Sequence, residues 1–119
     1  MKSPHRGEIY YLDFSPATGS EMRGPHPALI IQNNVGNQAS RLTIVAAITS
    51  NLKAARLPVC VQVSPVDSGL SRESVVNLGH IYTIDKSRLR QLIGHLPNDL
   101  MEQIDKALMI SVGIESFEL

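Results

Sequence analysis

The sequence predicts a small, curled antiparallel β-barrel of α+β class, closed by one C-terminal helix. Three observations predict it. Short runs rich in β-branched and aromatic residues follow one another at close spacing as far as Ile84, the pattern of compact antiparallel units. Beyond Pro97 the apolar spacing becomes that of an amphipathic helix, whose one greasy face needs a sheet to cover. The length, 119 residues, suits one core and not two, so residues 1–119 are expected to form a single domain.

The elements follow in order. Residues 7–14 (GEIYYLDF) read as a strand that stops at Ser15-Pro16, and residues 16–27 hold too many turn formers to be regular. Residues 28–31 and 42–49 are apolar, β-leaning runs on either side of a polar turn, 33–40. Residues 59–63 form a further strand between Pro58 and Pro65. Residues 74–78 and 80–84 are two short strands around Gly79, a bulge or tight bend. Residues 85–90 suggest one helical turn before the apolar stretch 92–96. In the last element Leu100, Ile104, Ala107, Leu108 and Ser111 recur at helical spacing, with Asn98 as the expected N-cap and Asp99 and Glu102 in the first turn. Tyr10, Tyr11 and Phe14 are expected in the core or at a subunit contact, and Cys60 as a small buried apolar residue.

Composition excludes several classes of function. The longest apolar run, 44–48, is far too short to span a bilayer. The opening MKSPHRGE offers no apolar core for a signal peptide, and a single cysteine cannot form an internal disulfide; a cytoplasmic location is expected. The four histidines sit at no metal-ligand spacing, and neither the glycine-rich phosphate loops nor a GxSxG elbow occurs, so neither metal nor cofactor is expected. Net charge is zero but unevenly spread. Residues 22–66 carry Arg23, Arg41, Lys53 and Arg56 and no acid, whereas residues 99–119 hold five acids against Lys106. This asymmetry either hints at an anionic partner near the first region or is an unevenly charged solvated surface.

A polar set remains: Glu21, Arg23 and His26 in the first loop, Thr49 and Ser50 at a strand end, and His80 beside Gly79. A rigid strand end suits a reacting or binding group. Thr49 and Ser50 could equally satisfy turn backbone groups, and His26 could be a loop histidine with no task.

The motifs RGEIYYLDFSPATGSE, PALIIQNN, VAAITSN, LPVCVQV and YTIDKSRL, in that order and spacing, resemble the MazF/PemK family of toxin endoribonucleases over almost the whole chain. The resemblance implies a PemK/CcdB-type, SH3-like barrel, a homodimer, and metal-independent cleavage of single-stranded mRNA at short sequences, leaving 2′,3′-cyclic phosphate and 5′-hydroxyl ends. It also implies a cognate MazE-like antitoxin that fills the RNA groove with its C-terminal segment and forms a DNA-binding complex with the toxin. Thr49 matches the family's active-site threonine, Glu21 the acidic position of the first-loop GSE beside Ser20, and Leu57 and Pro58 a loop bordering the substrate groove. Two positions depart from the pattern. His26 stands where the family has its catalytic arginine, and Gly79-His80-Ile81-Tyr82 stands where an acid, Gln, an apolar residue and Arg are usual.

Cleavage without a metal needs a proton acceptor for the 2′-hydroxyl, a donor for the leaving 5′-oxygen, and charge for the crowded phosphorane. Imidazole exchanges protons near neutral pH but is an inferior fixed cation. The expected division gives proton transfer to His26, a phosphate clamp to Arg23 and a hydrogen bond to a phosphate oxygen to Thr49. RNA contacts are expected from Ser20, Glu21, Ser50, Lys53, Arg56, Leu57, Pro58, His80 and Tyr82. A weakened relative that binds RNA or antitoxin without efficient cleavage is the alternative. A DNA gyrase poison on the same barrel is disfavoured, because that relative works through a tryptophan near its C-terminus, and this chain has none and ends ESFEL.

Overall fold

The protein is described from a computed structural model, which covers residues 3–14 and 25–117. Six strands form one sheet: β1 (Glu8–Asp13), β2 (Pro25–Ile30), β3 (Leu42–Thr49), β4 (Cys60–Val63), β5 (Ser74–Asp85) and β6 (Leu89–His95). Their order is β4-β5-β3-β2-β1-β6, with every neighbouring pair antiparallel. Helices α1 (Asn34–Ala39), α2 (Pro65–Ser68) and α3 (Asn98–Ser111) and the 3₁₀ turns Leu52–Arg56 and Lys86–Arg88 complete the fold.

The central strands are covered on both faces, which explains their unbroken apolar runs. On one face Ile9, Leu29, Ala46, Ile48, Val76 and Leu78 pack against Met101, Ile104 and Ala107 of α3. On the other, Leu12, Ala28, Ile30, Val45, Ala47, Ile84 and Leu89 enclose Phe14. The register Ala28–Ala47 places two small residues opposite each other in the middle of the sheet. The Ser111 hydroxyl ties α3 to the Leu78 carbonyl at 2.7 Å.

Several elements differ from expectation. Residues 33–40 hold a helix, because the Asn33 side chain accepts the Gly36 N–H at 2.7 Å and so caps α1. Asn98 is not the N-cap of α3; Pro97 occupies that position without a side-chain bond, and Asn98 begins the helix. Residues 74–78 and 80–84 belong to one strand, β5, whose register against β3 jumps between Ala46 and Ala47. Asn77 accepts the Gly79 N–H at 2.8 Å across that bend. Cys60 is half-buried rather than enclosed.

The ladder does not close on itself, since β4 and β6 are unpaired edges. Instead β6 meets the α2 turn, which follows β4, through bare backbone. A Cβ on Gly94 would lie 2.1 Å from the Ser68 carbonyl oxygen, and one on Gly69 would lie 2.6 Å from the Ile93 oxygen. Gly69 also terminates α2 with φ +81°, the left-handed region that favours glycine. This glycine seam makes the curled sheet barrel-like. Among the described residues no helix is long and apolar enough to cross a membrane.

Candidate active site at the barrel seam

Pro25 and Pro27 were expected in a loop, yet they belong to β2. The Gly7 N–H donates to the Ile30 carbonyl and the Ile31 N–H to Ile44 on β3. Even-numbered residues of β2 therefore bond toward β1 and odd-numbered ones toward β3. His26, paired with Leu12, supplies the rung that β1 needs, so the prolines cost that ladder nothing. On the other side the last rung pairs Leu29 with Ala46. The next would pair Pro27 with Ile48, and proline has no N–H to give. The strands part there, and the gap becomes part of a pocket.

That pocket, about 400 Å³, lies where the gap meets the glycine seam. His26, Pro27, Ile48, Thr49 and Ser50 line one side; Gly69, Leu70, Ser71, Arg72 and Ser74 line a second; Tyr11, Gln91, Leu92 and Ile93 line a third. No carboxylate is among these residues, and Arg72 carries their only fixed charge. The arrangement favours an anionic ligand.

The half-buried His26 ring packs edge-on to Phe14, with centroids 6.4 Å apart and planes at 60°. Phe14 in turn meets Tyr82 edge-on at 5.0 Å and 63°. Tyr82 thus stands behind the imidazole and does not line the pocket. Thr49 Oγ1 accepts the Asn51 N–H at 3.2 Å. Among the described residues none takes its own hydrogen, so the turn-capping and ligand-binding readings of Thr49 are compatible.

The segment carrying Arg72 is pinned at both ends. The Ser68 hydroxyl donates to the Ser64 carbonyl at 2.7 Å and accepts the Leu70 N–H at 3.1 Å. The Ser74 hydroxyl, almost fully buried, donates to the Arg72 carbonyl at 3.1 Å. The Arg72 side chain is exposed and makes no hydrogen bond or ion pair among the described residues.

Of the residues singled out in the sequence, His26, Thr49 and Ser50 converge on this pocket. Lys53, Arg56, Leu57 and Pro58 are exposed on and just after the 3₁₀ turn that follows Ser50, outside the lining. His80 is exposed at the β5 bend, two residues past Leu78, whose N–H donates to the Val59 carbonyl. Ser20, Glu21 and Arg23 lie outside the described residues. Tyr11, Arg72 and Gln91 were missed. A lone arginine in the serine- and glycine-rich stretch SGLSRES was a readable signal, whereas Gln91 had none. Tyr11, expected in the core or at a subunit contact, is exposed and faces the pocket.

Away from the pocket, the pKa values of Tyr10 and Cys60 are raised. Burial, reinforced by the Glu8 carboxylate that accepts its hydroxyl hydrogen, pushes the Tyr10 phenol up. Burial likewise raises the Cys60 thiol, keeping it protonated and weakly nucleophilic.

Fold and pocket together define a small antiparallel barrel protein that can receive an anion at its seam. The chain belongs to the family of PemK-like, MazF-like toxins of type II toxin-antitoxin systems, which it matches over residues 5–112. It is an endoribonuclease homologue, 45% identical over 112 residues to Endoribonuclease EndoA of Bacillus subtilis (strain 168), spanning 94% of this chain and 97% of that one. Among solved structures, a mycobacterial endoribonuclease in complex with its cognate antitoxin superposes with a TM-score of 0.80 at 26% identity, covering 96% of this chain and 99% of that one. MazF from Deinococcus radiodurans gives a TM-score of 0.80 at 25% identity, with 95% and 99% covered.

Proposed function

We propose that this chain is the toxin of a type II pair and that it cleaves single-stranded mRNA without a metal. The convergence of His26, Thr49 and Ser50 on one pocket whose described lining holds no carboxylate carries this reading. His26 takes the 2′-hydroxyl proton as the 2′-oxygen bonds to phosphorus. The bond from phosphorus to the 5′-oxygen then breaks, and that oxygen leaves with a proton from the imidazolium. A 2′,3′-cyclic phosphate and a 5′-hydroxyl result. Thr49 donates its free hydrogen to a non-bridging oxygen while holding the Asn51 amide. Arg23, three residues before His26 in the chain, is assigned a phosphate contact on that proximity alone.

Single-stranded RNA is the substrate such a pocket suits, because splayed bases can stack on side chains such as Tyr11 at its rim. The exposed Lys53 and Arg56, with Leu57, Pro58 and His80, extend the proposed RNA surface beyond the pocket. Tyr82, assigned an RNA contact from sequence, is reassigned to supporting His26. A cytoplasmic homodimer that a MazE-like antitoxin neutralises completes the reading. The solved relatives in complex with antitoxin support the last point.

Incubating the purified protein with a long transcript in EDTA tests the reading. Discrete fragments ending in cyclic phosphate are expected. His26→Ala should abolish them, and His26→Arg should retain or raise activity. Full activity in His26→Ala would remove the imidazole from the mechanism.

A further inference from the structure

We propose that Arg72 is the fixed cation of the site, gripping the scissile phosphate opposite Thr49. The inference rests on the endoribonuclease reading and adds to it a residue from a different part of the chain. The chemistry requires a positive charge that persists whatever the imidazole's protonation state. A proton-exchanging His26 cannot supply it, because it is neutral for part of each cycle. Among the described residues lining the pocket, Arg72 alone is permanently charged.

Three features suit Arg72 to the task. Its guanidinium is uncommitted among the described residues, so none of them competes with a phosphate for its donors. Its backbone is fixed on both sides by the Ser68 and Ser74 hydroxyls, which limits the ordering cost to the side chain itself. The glycine seam brings this segment to the same cavity as His26 and Thr49, although the three residues come from β2, β3 and the connection before β5. A planar fork meeting two non-bridging oxygens stabilises the charge that builds as the phosphorane forms. The exposed position keeps the cation hydrated and adaptable until RNA arrives.

The test compares Arg72→Ala, Arg72→Lys, Arg23→Ala and His26→Ala in cleavage of a single-stranded oligonucleotide across a salt series. Urea midpoints verify that each variant folds. Arg72→Ala should lower kcat/KM by roughly 10²–10³-fold, the usual loss for one oxyanion donor, with an unchanged midpoint. The slope of log(kcat/KM) against log[salt] should shrink by about 0.7, the value of one phosphate contact on a single strand. Arg72→Lys should recover part of the rate, since charge without the fork is retained. Wild-type rate and wild-type slope in Arg72→Ala, with His26→Ala inactive, would overturn the assignment and leave the endoribonuclease reading standing. Loss of the slope increment in Arg23→Ala but not in Arg72→Ala would overturn it in favour of Arg23. Should the wild-type protein cut no RNA, the broader reading fails. Binding of a non-cleavable 2′-deoxy oligonucleotide then decides: a lowered salt slope in Arg72→Ala supports the phosphate grip, and an unchanged slope ends it.

Discussion

Three alanine substitutions separate the forces acting at the seam. Gly113 has φ +82° and nothing within 4 Å of an added Cβ. Gly113→Ala therefore carries only left-handed strain of about 1–2 kcal/mol, partly offset by a stiffer unfolded chain worth about 0.4–1 kcal/mol. Gly94 lacks that backbone strain, but its added Cβ would sit 2.1 Å from the Ser68 oxygen, where ordinary contact begins near 3.4 Å. Two backbones must separate by roughly 1 Å, an overpacking that costs about 1–3 kcal/mol or more. Gly69→Ala combines both, with φ +81° and a contact of 2.6 Å, for a total of about 2–5 kcal/mol. With a urea dependence near 2 kcal/mol per molar, the midpoint of Gly69→Ala falls by roughly 1–2.5 M, and that of Gly113→Ala by under about 1 M. RNA cleavage discriminates further. Gly94→Ala should lose more activity than its unfolded fraction explains, because the seam sets Arg72 and Gln91 against His26. A Gly94→Ala protein with wild-type midpoint and wild-type rate would refute the backbone closure. So would Gly113→Ala being the least stable of the three.

Cleavage by the wild-type protein should depend on pH, because proton transfer is assigned to His26, and His26→Arg should flatten that profile. A flat wild-type profile would contradict proton transfer by His26. A Phe14→Leu and Tyr82→Leu double-mutant cycle should show a coupling of about 0.5–1.5 kcal/mol, and Tyr82→Leu should lower kcat more than it raises KM. Zero coupling would dissolve the stack behind His26. Asp85 accepts the Ser87 N–H at 2.9 Å with Arg41 at 3.2 Å, and these hold its carboxyl below its ordinary value of 3.8. A lowered native value means stability that is present above pH 3.8 and drains away as pH falls through the native value. Asp85→Asn should therefore show a shallower loss of stability on acidification, measured by urea midpoints; an identical acid limb would count against the cap.

The sequence reveals what neighbouring residues decide among themselves. The run IVAAI announces a strand buried on both faces, and Thr49 at its end lies in the pocket as the pattern of that strand suggested. The prolines around His26 misled, because proline forbids a rung on one side only, and the rung toward β1 belongs to His26. Asn33 concealed a helix through a cap indistinguishable in sequence from a turn. Gln91 was illegible, and the placement of Arg72 was hidden although its stretch stood out, for a deeper reason. They become neighbours of His26 only when Gly69 and Gly94 let the α2 turn touch β6, a tertiary event that no local pattern encodes.

Phe14 links His26 and Tyr82, since both of their rings meet its ring in an edge-to-face arrangement. In evolutionary language, substitutions at 26 and 82 are expected to be epistatic, because each changes the support that Phe14 gives the other. Grafting one of them alone into a relative would import half of a mechanical unit. Swapping both together with Phe14 is the smallest exchange that moves the whole.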